Sequence, residues 1–279
     1  MSATTLTRPA DLSDDPTGTA GAPAALPWGR ATRLVMVREL RPVLRDPFSV
    51  MFGLVQPLVF LGLFGPLLAG SLRASGAFDG GVWQWFVPSI LLMTTLFGTS
   101  TTGANLQFEM QTGAHERLLV TPLPRSAQLV GRALKEMVPL TAQAVVIVAV
   151  MLPFGFRLHL VGALAGLALL AVLGVGLGSL SYALAIAVRK VEWMFWMVQQ
   201  TVLFPLLILS GLLLPLDSGP SWMRAAARAN PLAYVVEAER ALFAGELASS
   251  TVAWGVLAAV ATAGVGLLVG IRTILRSAR

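Results

Sequence analysis

The sequence predicts an all-α integral membrane protein of six transmembrane helices, and three observations carry that prediction. The first is composition. Of 279 residues, 56% are apolar and 12% charged, against about 25% charged in a soluble globular domain, so water is not the main solvent of this chain. The second is the spacing of the charges. They leave six uncharged runs at 47–72, 80–108, 137–156, 158–188, 193–216 and 247–271, of 26, 29, 20, 31, 24 and 25 residues. Each meets the roughly 20 residues that a helix rising 1.5 Å per residue needs to cross about 30 Å of hydrocarbon. The third is the asymmetry of the cations. Segments 1–46, 109–136, 189–192 and 272–279 hold 15 of the 20 Lys and Arg residues, and short cytoplasmic loops retain such an excess, so both termini are expected in the cytoplasm.

Residues 1–29 are small and polar with Asp11, Asp14 and Asp15, which reads as a disordered cytoplasmic tail. Residues 30–46 follow as a cytoplasmic interfacial helix. Arg30, Arg33, Arg38, Arg41 and Arg45 fall within an arc of about 140° at helical spacing, although Leu34 and Val37 intrude on it and Pro42 should end or kink the helix. The six-span body then occupies 47–272, with spans at about 48–71, 83–106, 128–152, 160–187, 193–215 and 249–271, and 273–279 form a cytoplasmic tail.

Span one carries Gln56-Pro57 and Gly65-Pro66, so kinks are expected where proline removes a helix hydrogen bond. Span two holds Thr94, Thr95, Thr99, Ser100, Thr101 and Thr102. Such a run either lines a polar route or returns its hydroxyls to the carbonyls of its own helix. Gly162/Gly166 and Gly174/Gly178 in span four and Gly266/Gly270 in span six have the spacing that lets helix backbones approach closely. Span five opens Trp193-Met194-Phe195-Trp196 and then presents Gln199, Gln200 and Thr201. Two adjacent glutamines do not both face lipid cheaply, so one should meet a helix, a cavity or a partner. Residues 217–246, with Trp222, Arg224, Arg228, Tyr234, Glu237, Glu239 and Arg240, suggest short helices dipping back into the outer interface before span six.

Several chemistries are excluded. The chain has no cysteine and two histidines, His115 and His159, so disulfides, thiolate zinc sites and iron–sulfur clusters are ruled out and no metal site is expected. It contains no G-x-x-x-x-G-K-[ST], no H-E-x-x-H and no G-x-S-x-G, hence no ATP-binding loop of that type, zinc-protease helix or serine-hydrolase elbow. No uncharged run has an Asp, Glu, Lys or Arg deep inside it, which argues against a proton-driven carrier. The basic charge lies at membrane-flanking positions, where anionic headgroups attract it, so nucleic acid is not expected as a partner.

Three stretches resemble the membrane subunit of type-2 ABC exporters, particularly the daunorubicin-resistance-like permeases of bacteria. They are Arg38-Glu39-Leu40 with Arg45-Asp46-Pro47 and Gln56-Pro57; the segment Gly113-Ala114-His115-Glu116-Arg117-Leu118-Leu119-Val120-Thr121-Pro122-Leu123-Pro124-Arg125; and Ser210-Gly211-Leu212 through Pro215-Leu216, Trp222, Asn230-Pro231-Leu232-Ala233-Tyr234 and Glu239-Arg240-Ala241-Leu242. One departure is that Glu109 is followed by Met110 and Gln111, where the family often has an acid-base-acid run.

The resemblance implies a coupling helix between spans two and three that docks in a separate ATPase subunit, through Glu109, Gly113, Glu116, Arg117, Leu118, Leu119, Thr121 and Pro122. It further implies that ATP and Mg sit on the partner, with no cofactor on this chain and no catalysis by it. Two ATPase subunits, a second permease copy forming a homodimer, the lipid bilayer and a bacterial inner-membrane location complete the expectation. The expected function is ATP-driven outward movement of a hydrophobic or amphipathic, drug-like compound by alternating access. Lipid or polymer export is the alternative, and a passive channel or scaffold the more distant one. Gln56, Thr94, Thr95, Thr99, Gln199, Gln200 and Phe204 are the candidate substrate-pathway residues, because they combine hydrogen-bonding groups and an aromatic surface in spans one, two and five.

Overall fold

A computed structural model of the chain describes residues 26–75, 81–114, 121, 123–216 and 219–276. Among these residues there are ten α-helices, one 3-10 turn and no strand: α1 (Trp28–Arg45), α2 (Pro47–Ser75), α3 (Val82–Gln111), α4 (Arg125–Lys135), α5 (Met137–Met151), the turn Leu152–Phe154, α6 (Leu160–Ala187), α7 (Glu192–Ile208), α8 (Ser221–Arg228), α9 (Pro231–Phe243) and α10 (Ser250–Arg276). Five helical stretches are long and apolar enough to cross a bilayer: Gly53–Gly70, Val82–Gln111, Arg125–Phe154, Leu160–Ala187 and Ser250–Arg276. A sixth apolar helix, Trp193–Ile208, is shorter. Large apolar side chains such as Val59, Leu63, Leu67, Leu164, Leu257 and Leu268 face outward, as a hydrocarbon solvent requires.

The uncharged runs anticipate most of these boundaries. α6 covers Leu160–Ala187, and the short helices α8 and α9 come before α10 in the chain. The proline-bearing helices run on without an assigned break, α1 through Pro42 and α2 through Pro57 and Pro66. The third stretch differs in kind: it starts at Arg125 and breaks briefly at Glu136, where α4 gives way to α5. Pro139 lacks the N–H that would reach back to the Lys135 carbonyl. The fifth ends at Ile208 rather than near residue 215.

α6 and α10 pack closest, and glycine is the reason. A Cβ on Gly266 would stand 2.2 Å from the Gly176 carbonyl oxygen, and one on Gly176 would stand 2.7 Å from the Ala263 Cα. The spacing read from sequence as a packing surface is therefore one. α9 wedges into the same assembly, its Leu242 carbonyl over Gly162 and its Ala238 over Gly255. Replacing Gly266 with Val is expected to lower the thermal midpoint of the purified protein by the equivalent of about 1–3 kcal/mol. Gly264→Val, which enters open space, should leave it unchanged.

Two apolar clusters divide the interior. The larger gathers Phe86, Ile90, Leu92, Ile147, Leu173, Val235 and Phe243 from α3, α5, α6 and α9. The smaller joins Leu106, Leu129, Tyr182, Phe195 and Ile274 of α3, α4, α6, α7 and α10. α1 lies on α4, burying Ala31, Thr32 and Val35 against Gly131. Leu34 and Val37, which intrude on the basic arc, are exposed at 53% and 40%.

Candidate functional site

A cavity of about 550 Å³ opens between α2, α3, α5 and α7. Five of the seven pathway candidates line it: Gln56, Thr94, Gln199, Gln200 and Phe204. α7 brings three of these to one place because residues 199, 200 and 204 are one helical turn apart. Gly53 on α2 leaves room for Gln143, whose side-chain nitrogen lies 2.5 Å from where a Cβ would be, so α5 contributes its amide to the wall.

Thr95 and Thr99 are elsewhere. Thr95 borders a void of about 20 Å³ against Met137 and Leu170. Thr99 faces a second cavity of about 350 Å³, apolar in its lining, between α3, α6, α7 and α10. Gln199 borders both larger cavities, and its Oε1 is buried without a hydrogen-bond partner. The hydroxyls of the three threonine candidates on α3 are spent locally. Thr94 donates to the Ile90 carbonyl at 2.8 Å, Thr95 to Leu91 at 3.0 Å and Thr99 to Thr95 at 2.9 Å. Their protons are therefore committed to the helix, and only oxygen lone pairs remain for a ligand.

The cavity also holds two charges that the run-counting missed, Lys135 and Glu136, buried to 6% and 5% exposure. Lys135 Nζ lies 3.2 Å from Glu136 Oε1, which also accepts a hydrogen bond from Thr102 Oγ1 at 3.2 Å. Counting every charge as a boundary left both outside the third uncharged run, 137–156, although the span drawn at about 128–152 contains them; the helical pattern of 125–151, read through them, is the signal that could have found them.

A second polar centre forms around Arg132 of α4, nearly sealed from solvent. Its guanidinium pairs with Glu109 at the end of α3, lies 3.6 Å from Glu39 of α1, and sits 5.6 Å from the centre of the Tyr182 ring of α6. Glu109, expected to offer charge to a partner, thus has an internal partner in Arg132. Gly113 follows α3 at φ +69°, a left-handed turn that glycine takes without steric cost, and ends the helix. Thr121 is described as a bend after it. Glu116, Arg117, Leu118, Leu119 and Pro122 lie outside the described residues.

At the far end of α7 a third group closes the chain turn. Asn230 caps α9 by accepting from the Leu232 N–H at 3.0 Å, and donates through Nδ2 to the Leu206 carbonyl at 2.7 Å. Arg240 donates to Ser89 Oγ at 2.8 Å, to the Gly211 carbonyl at 2.9 Å and to the Trp85 carbonyl at 3.3 Å, with its guanidinium 3.8 Å above the Trp85 ring. Burial pulls Arg240 down to about 10, with Glu237 opposing. Glu239 beside it is 0% exposed, both oxygens lack a partner, and its carboxyl packs on Gly166 of α6. Burial alone pushes that carboxyl up to about 8. Residues 219–246 are amphipathic only in part: Trp222 is 65% exposed, while Glu239 and Arg240 turn inward.

These features define a multi-pass membrane protein with a polar cavity among its helices. Among the described residues no group of three His, Asp or Glu side chains could hold a metal. The family model for the ABC-2 type transporter matches residues 30–244. The chain is 25% identical over 217 residues to the daunorubicin resistance ABC transporter permease protein DrrB1 of Streptomyces coeruleorubidus, covering 77% of this chain and 75% of that one. It is 31% identical over 202 residues to the ycf38 protein of Cyanophora paradoxa, named as a transport permease, covering 71% and 69%. It is 27% identical over 240 residues to the DrrC protein of Mycobacterium tuberculosis, named as a doxorubicin resistance ABC transporter permease, covering 80% and 83%. The chain belongs to the ABC-2 type transporter family, whose permeases are the membrane subunits of transporters that work with ABC ATPase subunits.

Proposed function

We propose that this chain is the six-span permease subunit of an ATP-driven exporter of the bacterial inner membrane, with both termini in the cytoplasm. α7 is its fifth span. The exporter pairs two copies of the chain with two ATPase subunits, which hold the ATP and Mg. Nucleotide closes the ATPase pair, the coupling segment between α3 and α4 moves as a lever, and the permease pair passes from inward-open to outward-open. ATP drives this step to the extent that it binds the two states unequally. The cargo is a hydrophobic or amphipathic, drug-like compound, as the names of the relatives suggest.

The observation that supports this most is the cavity itself. It joins amides from four helices to the aromatic surface of Phe204, and apolar surface with a few placed polar groups is what an amphipathic ligand needs. The position of Arg132 supports the lever: it joins the helices on either side of the coupling segment, α3 through Glu109 and α4 through its own backbone, to α1 and α6.

The test is reconstitution. The chain purified from its native membranes with its ATPase, placed in vesicles, should accumulate a fluorescent amphipath only when ATP is supplied. The double variant Gln199→Leu/Gln200→Leu should cut that uptake several-fold while leaving insertion intact. Equal uptake by the chain alone without nucleotide would refute the reading.

A further inference from the structure

We propose that the Lys135–Glu136 ion pair reads the charge of the cargo, and that the cavity takes cationic amphipaths in preference to anionic ones. The proposal rests on the reading of this cavity as the cargo site.

Three observations lead to it. The pair is out of place as a stabiliser. Two ions held at 6% and 5% exposure give up hydration that a single 3.2 Å contact does not fully restore, and apolar residues of the same volume often serve the fold as well or better. The pair is also incompletely used. Lys135 and Thr102 both address Glu136 Oε1. Both of these contacts fall on one oxygen of a residue that lines the cavity. An ionised carboxylate offers about four acceptor positions, so two contacts leave acceptor capacity for a further partner.

The surroundings decide the sign. The remaining polar groups of the wall are neutral amides and hydroxyls, and Phe97, Trp196 and Phe204 present rings to the same space. Aromatic faces attract cations and repel anions. A cation therefore gains both the carboxylate of Glu136 and the ring faces. An anion gains only Lys135, which it must take from Glu136, and meets the rings unfavourably. The pair also sits at the break between α4 and α5, on the helix that leads out of the coupling segment, so a ligand engaging it touches the joint between the cavity and the lever.

The experiment uses the full chain in nanodiscs of zwitterionic lipid and two isosteric probes, tetraphenylphosphonium and tetraphenylborate, with binding followed by equilibrium dialysis. Each variant is compared with the unmodified protein, so that membrane partition of the probes cancels. Glu136→Gln should weaken phosphonium binding relative to borate by about tenfold, equivalent to about 1.4 kcal/mol, and Lys135→Gln should shift the ratio the other way. Should either single variant fail to fold, the double variant Lys135→Gln/Glu136→Gln leaves no uncompensated charge and should lose the cation preference. An unchanged probe ratio in the variants that fold overturns the proposal. The variant Gln199→Leu/Gln200→Leu separates the two levels. If it weakens both probes while the charge variants leave their ratio alone, the cavity stands as the cargo site and the charge reading fails. If no variant alters either probe, the cavity reading itself fails.

Discussion

Replacing Arg132 with Met is expected to destabilise the folded chain by about 3–5 kcal/mol, the range found when one member of a buried ion pair is removed. The guanidinium is 4% exposed as a side chain, and its acids are only partly open, Glu39 at 13% and Glu109 at 21%. Without Arg132 the two carboxylates would face a shared apolar wall with nothing to balance them, and the cation over the Tyr182 ring would be gone too. Met fills most of the same volume, so the loss reports charge rather than a cavity. Partial exposure of the acids places the effect toward the lower part of the range. Thermal melting of the purified protein should show the drop, and adding Glu109→Gln to the variant should recover part of it. An unchanged midpoint in Arg132→Met would mean that the acids are already stabilised by solvent, and that Arg132 does not hold α1, α3 and α6 to α4.

Replacing Glu239 with Met should act in the opposite direction and depend on pH. The carboxyl is fully buried, its oxygens have no partner, and burial pushes it up to about 8 from an ordinary value of 4.5. Below pH 4.5 both folded and unfolded chains hold the proton, and the contribution of this group to stability is at its greatest. Between 4.5 and 8 the unfolded chain releases a proton that the folded chain keeps, so stability falls as pH rises. Above 8 the loss is complete, on the order of a few kcal/mol at 1.36 kcal/mol per pKa unit. Met has nearly the volume of Glu, and neither a charge nor an unsatisfied oxygen. The variant should therefore melt higher than the unmodified protein, with a gap that widens from pH 5 to pH 8. Parallel melting curves across that range would show that Glu239 finds a partner or water in the folded chain.

Much of this architecture is legible in the charge pattern. Expulsion of charge from hydrocarbon fixes where apolar helices lie, which is why residues 160–187 match α6 and why glycine pairs in spans four and six announce a close crossing. The same rule fails where charges pair. Glu136 cuts the third apolar run in the linear sequence, yet in the fold it is held by Lys135 and by Thr102 of another helix. Such pairing depends on neighbours 34 positions away, which hydropathy cannot see. The glutamines of α7 were identifiable because two adjacent amides on an apolar helix demand partners, and five of the seven pathway candidates share one cavity. Thr95 and Thr99 were grouped with them by residue type alone, and the rotation of α3 turns them toward other spaces. Asn230 stands out only through resemblance, and Arg240 as one charge of an amphipathic segment; their partners, the carbonyls of Leu206 and Gly211, belong to a helix end that no side-chain pattern announces.

That helix end has a consequence for the surrounding lipid. α7 has 17 residues, about 25 Å of helix, and on the six-span reading it falls some 5 Å short of an average hydrocarbon slab of about 30 Å. Asn230 and Arg240 tie α9 to the Leu206 and Gly211 carbonyls at this end of α7, and on the six-span reading the shortfall falls on the adjacent leaflet, which is expected to thin beside α7.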